Sequence, residues 1–120
     1  MIISSIVFTV LTTSVFKDWL GGQSPEVMAE VAAVILLLRE YGHRLSRPHA
    51  DTLKGSKHAN MKELRVKTAR AEVRVAFAFD PQRQAIILVA GDKRGVNEKR
   101  FYKQLIARAD ALFTEYLKSR

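Results

Sequence analysis

Two stretches in the middle of the chain change side with every residue, and this period of two limits the fold more than any other feature of the sequence. In residues 62–67, Leu64 and Val66 point one way while Glu63, Arg65 and Lys67 point the other. In residues 72–79, Val73, Val75, Phe77 and Phe79 form one face, and Glu72, Arg74, Ala76 and Ala78 the opposite one. Asp80-Pro81-Gln82-Arg83 has turn composition, and residues 84–90 are a near-continuous apolar strand suited to a central place in a sheet. Three strands joined by short connections predict an antiparallel meander.

Helices flank it. Ser24-Pro25-Glu26 is a helix start: Ser caps, Pro is tolerated where its missing N–H has no partner, and Glu complements the dipole. This helix should run to about Tyr41 and stop at Gly42. Its second half, Val31 to Leu38, is apolar nearly all round, which predicts cover on more than one side. Residues 6–10 suggest an opening strand and residues 13–20 a short first helix ended by Gly21-Gly22. Residues 43–61 are irregular, and a loop of this length in a small domain points to function. From Asn97 a final helix carries Phe101, Leu105, Ala109, Leu112, Phe113 and Tyr116 on one face. The expected architecture is a single α+β domain over residues 1–120, a small antiparallel twisted sheet with the N-terminal helices and the C-terminal helix packed on one face.

Composition excludes several function classes. The chain has 120 residues and no cysteine, so disulfides, thiolate metal sites and cysteine nucleophiles are out. Val31–Leu38 is far short of the roughly 20 residues a membrane span needs. Met1–Phe16 has no positive charge before its apolar part, and it reads as a poor signal peptide. A cytoplasmic protein without a membrane partner is expected. The net charge is +8, and it is uneven: residues 1–38 carry −2 and residues 39–120 carry +10. A polyanion is the natural partner for the last two thirds.

Alternation sharpens that. If the strands at 62–67 and 72–79 are neighbours, Arg65 and Arg74 share the face opposite the core valines and phenylalanines. The small Ala76 and Ala78 continue this face, which predicts an open floor sized for a bent single strand of nucleic acid. Lys57 and His58 precede the first strand, and Lys93-Arg94 follow the third, giving a basic rim. The competing reading is a solvated face on which the arginines pair with Glu63 or Glu72. His43, His49 and His58 lack metal-ligand spacing, so no metal is expected. Lys54-Gly55-Ser56 lacks the rest of a phosphate-loop pattern and reads as a turn.

Several short runs carry a resemblance. Residues 47–66, with Leu53-Lys54-Gly55 and Glu63-Leu64-Arg65-Val66, are followed by residues 74–81, residues 85–88, Gly91-Asp92-Lys93 and Arg100-Phe101-Tyr102. In this order and spacing they resemble the RelE/ParE toxin superfamily, and more narrowly its phage-derived, HigB-type branch. The resemblance covers residues 45–117 well and the helix from Ser24 loosely.

It implies a RelE-like fold and a toxin that cleaves mRNA, usually in the ribosomal decoding site, without metal or cofactor. A ribose 2′-hydroxyl would attack the adjacent phosphate, so charge must be stabilised there and protons moved at both ends. Arg65 and Arg74 match basic positions on the first two meander strands and would clamp the phosphate. Lys93 or Arg94 would stabilise charge or protonate the leaving oxygen, and Tyr102 would stack on a base or help move a proton. Glu63 stands where some relatives carry a lysine, which leaves the general base open; His58 is the substitute candidate. Lys54, Lys57, His58, Arg94, Lys99, Arg100 and Lys103 would contact RNA. The resemblance also implies a cognate helix-turn-helix antitoxin. Alternatives are a gyrase-poisoning toxin of the same fold and a non-catalytic, basic nucleic-acid-binding protein.

Overall fold

The computed structural model describes residues 7–120. The elements in chain order are β1 (Val10–Thr12), α1 (Ser14–Gly21), α2 (Pro25–Tyr41), a 3-10 turn (Gly42–Arg44), β2 (Ala50–Thr52), β3 (Met61–Lys67), β4 (Glu72–Phe79), β5 (Ala85–Asp92) and α3 (Glu98–Ser119). Each helix begins where its sequence provides a cap. Thr13, Ser24 and Asn97 accept hydrogen bonds from the backbone N–H groups of Phe16, Val27 and Arg100, respectively. The opening strand lies later than expected, at Val10–Thr12; Ile6, the first residue of the expected strand, falls outside the described residues.

The α+β class and the meander are as expected, with β3, β4 and β5 pairing antiparallel in sequence order. Two details differ. The sheet is mixed, with order β1-β5-β4-β3-β2, because β1 lies parallel beside β5. The helices also do not share one face. Phe16 of α1 and Val27, Val31, Val34 and Leu38 of α2 pack on Leu64, Val66, Val73, Val75 and Phe77. Leu105, Ala109 and Phe113 of α3 pack on Met61, Ala76, Ala78, Ile86 and Leu88 from the other side.

The reason is the composition of β5. A strand apolar at every position has two faces to bury, and one helical layer covers only one of them. A register shift opposite Ala76 and Phe77 strengthens this by turning both Leu88 and Val89 toward α3. Ala76 and Ala78 are therefore the seat of α3 and not an open floor for nucleic acid; both are completely buried. Their small side chains let the helix come close.

On α2 the expectation of cover on several sides does not hold. Ala32 and Ala33 are exposed and Leu36 is 58% exposed, so one stripe of the helix faces outward. Among the described residues no helix is long and apolar enough to cross a membrane.

Candidate functional site

Arg65 and Arg74 are direct partners across the β3–β4 ladder. Two like charges in that relation repel, and carboxylates on the same face offset the repulsion. Glu63, two residues before Arg65, is buried to 4% exposure and serves both arginines. Its Oε2 accepts a 2.8 Å hydrogen bond from Arg65, and its Oε1 lies 3.7 Å from Arg74 Nε.

Tyr102 enters this group from α3. Its hydroxyl donates to Glu63 Oε1 at 2.8 Å and accepts from Arg74 Nε at 3.1 Å. Burial, then the hydrogen bond to Glu63, hold the phenol above its ordinary pKa. It therefore carries its proton at neutral pH. Arg74 is almost fully occupied: NH1 donates to the Val73 carbonyl, and NH2 lies 3.9 Å from Glu72 Oε2. With 4% exposure it forms the back wall of the site.

Above this wall a cleft of about 580 Å³ is lined by Arg47, Pro48, Arg65, Val66, Lys67, Glu72, Arg74 and Lys93. Lys93 reaches it from the end of β5, with its ammonium 2.6 Å from Glu98 Oε1 and 3.7 Å from Glu72 Oε2. The Lys93 hydrogen bond and charge hold the Glu98 carboxyl below its ordinary pKa. Within the Glu63–Arg65–Arg74–Lys93 group, Arg65 and Lys93 are partly exposed while Glu63 and Arg74 are buried; Arg47 and Lys67 at the rim are exposed. The arrangement can grip an anion, donate protons from Lys93 and Tyr102, and accept one at Glu63.

The residues expected from sequence thus fall into four places. Arg65, Arg74, Lys93 and Tyr102 come together. Arg94 does not line the cleft; its guanidinium donates to the Ala69 carbonyl. Lys99, Arg100 and Lys103 lie exposed on α3.

Lys54, Lys57 and His58 belong to a different site. The Ser56 hydroxyl and the Lys57 N–H both bond the Asp110 carboxylate, and His58 Nε2 lies 2.9 Å from Thr114 Oγ1. Thr114 is twelve residues beyond Tyr102, about 18 Å along α3, so His58 is not brought to the cleft. Sequence reasoning missed Arg47, Lys67 and Glu72 as cleft residues, and Glu98 as the partner of Lys93. For Lys67 and Glu72 the signal existed, since each lies two positions from a chosen arginine on the same strand. Among the described residues no three His, Asp or Glu side chains cluster as metal ligands.

A mixed sheet covered by two N-terminal helices on one face and a long C-terminal helix on the other is the RelE-like fold. One chain of the crystal structure of the RelBE2 toxin–antitoxin complex from Mycobacterium tuberculosis superposes with a TM-score of 0.54 at 18% identity, over 72% of this chain and 99% of that one. Residues 18–114 match the family described as phage derived protein Gp49-like (DUF891), and the chain belongs to that family. It is 48% identical over 100 residues to HigB2 of M. tuberculosis (strain ATCC 25618 / H37Rv) and 44% identical over 103 residues to HigB3 of the same strain, both named as toxins. The matches take in 82% and 86% of this chain; they span 49% of HigB2, about half its length, and 88% of HigB3.

Proposed function

We propose that the chain is the toxin of a toxin–antitoxin pair, a ribosome-dependent mRNA endoribonuclease of the cytoplasm that uses neither metal nor cofactor. The observation that carries this reading is the Arg65–Glu63–Tyr102–Arg74 network lying behind a cleft that Lys93 closes from the side. The HigB-type relatives and the toxin–antitoxin complex of the structural neighbour support it. A cognate helix-turn-helix antitoxin is the partner that would hold it inactive.

In this reading the scissile phosphate enters the cleft and meets Arg65 and Lys93, which are partly exposed beside the buried Arg74. Arg74, locked by its partners, fixes Tyr102 and adds charge from behind. The ribose 2′-oxygen forms a bond to phosphorus as the bond to the 5′-oxygen breaks, leaving a cyclic phosphate and a 5′-hydroxyl. Tyr102 takes the 2′-hydroxyl proton as its own passes to Glu63, along the existing 2.8 Å hydrogen bond. The Lys93 ammonium gives a proton to the departing 5′-oxygen. Lys99, Arg100 and Lys103 face ribosomal RNA, as phosphate contacts that position and do not read sequence.

Expression without a partner should stop growth, and RNA 5′ ends should map new cuts in mRNA only when ribosomes are present. Cuts in free RNA alone would contradict the ribosome requirement. The pairing of each cleft cation with a carboxylate favours one rival, a non-catalytic RNA-binding protein. A folded, non-toxic protein that binds RNA with a steep salt dependence would select it.

A further inference from the structure

A second concavity lies on the opposite face of the sheet from the cleft. It has a volume of about 300 Å³ and is lined by Phe8, His43, Asn60, Lys62, Phe79 and Arg83. Lys62 is one residue out of phase with Glu63, so the strand alternation that sends Glu63 to the α3 side sends Lys62 here. We propose that this pocket holds one nucleotide of a single-stranded RNA, with the base against Phe8 and Phe79 and a phosphate against Lys62 and Arg83. The site is separate from the cleavage reading and stands without it.

The floor is aromatic and fixed in place. The Phe8 ring meets Phe79 edge-on at 6.5 Å between centroids and His43 at 5.8 Å. Phe8 is anchored by its N–H to the Arg39 carbonyl at 2.8 Å, and its ring packs so tightly on Gly42 that a Cβ there would collide with it. Gly42 has a φ of 57°, a conformation that suits glycine and leaves this face of the backbone open to the ring. An aromatic surface of this kind stacks a base without regard to its identity.

The rim is basic without compensation. No carboxylate lines the pocket, and among the described residues Lys62, His43 and Arg83 form no side-chain hydrogen bond or ion pair. Asn60 adds an amide that can donate to or accept from a base edge.

Arg83 occupies an unusual backbone position, with a φ of 62° where glycine or asparagine is the ordinary choice. The turn around it is built by Asp80, whose Oδ1 accepts from the N–H groups of Gln82 and Gln84 and whose carbonyl accepts from Arg83 N–H. The fold would be served better by glycine there. The guanidinium at the pocket's edge is the feature glycine would lack.

The test is an amide-resolved NMR titration of the full chain with inorganic phosphate, adenosine 5′-monophosphate, a short 2′-O-methyl RNA oligomer that lacks the nucleophile, and oligoglutamate. The amides of Phe8, Asn60, Lys62 and Arg83 should move with the nucleotide and the oligomer. The oligomer should bind tighter than the mononucleotide, and the mononucleotide tighter than phosphate. Arg83→Gly should keep or raise the melting temperature while weakening oligomer binding by about fivefold, the loss of one charge-assisted contact. Lys62→Gln should weaken it similarly.

Phosphate binding as tightly as the nucleotide would remove the base from the proposal. A mononucleotide binding as tightly as the oligomer would remove the strand. Oligoglutamate moving the same amides with equal affinity would make the pocket a protein contact. Shifts confined to Arg65, Arg74 and Lys93, or Arg83→Gly binding like the unmodified protein, would overturn it altogether.

Discussion

In the cleft on the α3 side of the sheet, Arg47, Arg65, Lys67, Arg74 and Lys93 each have a carboxylate between 2.6 and 3.8 Å away. On the opposite face of the same sheet, Lys62, His43 and Arg83 surround two phenylalanines with no carboxylate among them. Paired cations are held in one geometry, which suits a reaction that depends on placement more than on raw attraction. Unpaired cations over an aromatic floor suit retention of an anion. The net charge of +8 therefore divides into a part that orients and a part that holds.

The largest expected difference between the two regions is in stability. Glu63→Ala should leave Arg74 buried beside an incomplete partner set, costing about 3–5 kcal/mol in urea unfolding. Glu63→Gln should cost less, since an amide oxygen still accepts from Tyr102. Lys62→Ala, across the sheet, should stay within about 0.5 kcal/mol. Equal effects from Glu63→Ala and Lys62→Ala would erase the contrast.

A smaller effect separates the cleft from the segment around His58. Asp110 is buried at 6% exposure and takes the Ser56 hydroxyl and the Lys57 N–H. Asp110→Ala should cost about 1–3 kcal/mol by leaving these groups unsatisfied, with faster amide exchange at Lys57 and His58. The amide signals of Arg65 and Arg74 should not move. If they do, the two sites are coupled.

The smallest effect is at alkaline pH. The Tyr102 phenol is raised above its ordinary value near 10 by burial and by Glu63. The stability this contributes is fully present below pH 10 and lost as pH rises through the higher folded value. Tyr116, raised by burial and its bond to Asp80, acts in the same direction. Tyr102→Phe should therefore flatten only part of the alkaline loss in a melting-temperature series. An unchanged alkaline slope would mean that Tyr102 is not held as described.

Much of this geometry was legible in the chain. The Ser24 cap with Pro25 behind it marks the start of α2, and alternation in β3 and β4 alone places Arg65 and Arg74 on one face. The continuous apolar character of β5 also held the information that both faces need cover. The alternation of β4 obscured it, because alanine fits an open face and a helix seat equally well.

β2 is three residues long and takes its hydrogen bonds from β3, so no local period announces it. β1 pairs with a strand more than seventy residues away, and its parallel direction is a property of the whole topology. Glu63 looked like a missing lysine. Its part in the site depends on Tyr102, thirty-nine positions along the chain and brought near only by the packing of α3.

The most direct measurement is the cleavage rate of ribosome-bound mRNA by the unmodified chain and by Arg65→Ala. Arg65 bonds the buried Glu63, so its removal should lower the melting temperature, and the two rates are compared at a temperature where both proteins are folded. If Arg65 stabilises the phosphate in the transition state, the rate should fall about 100- to 1000-fold. Cleavage at the unmodified rate would contradict the assignment of the cleft as the catalytic site.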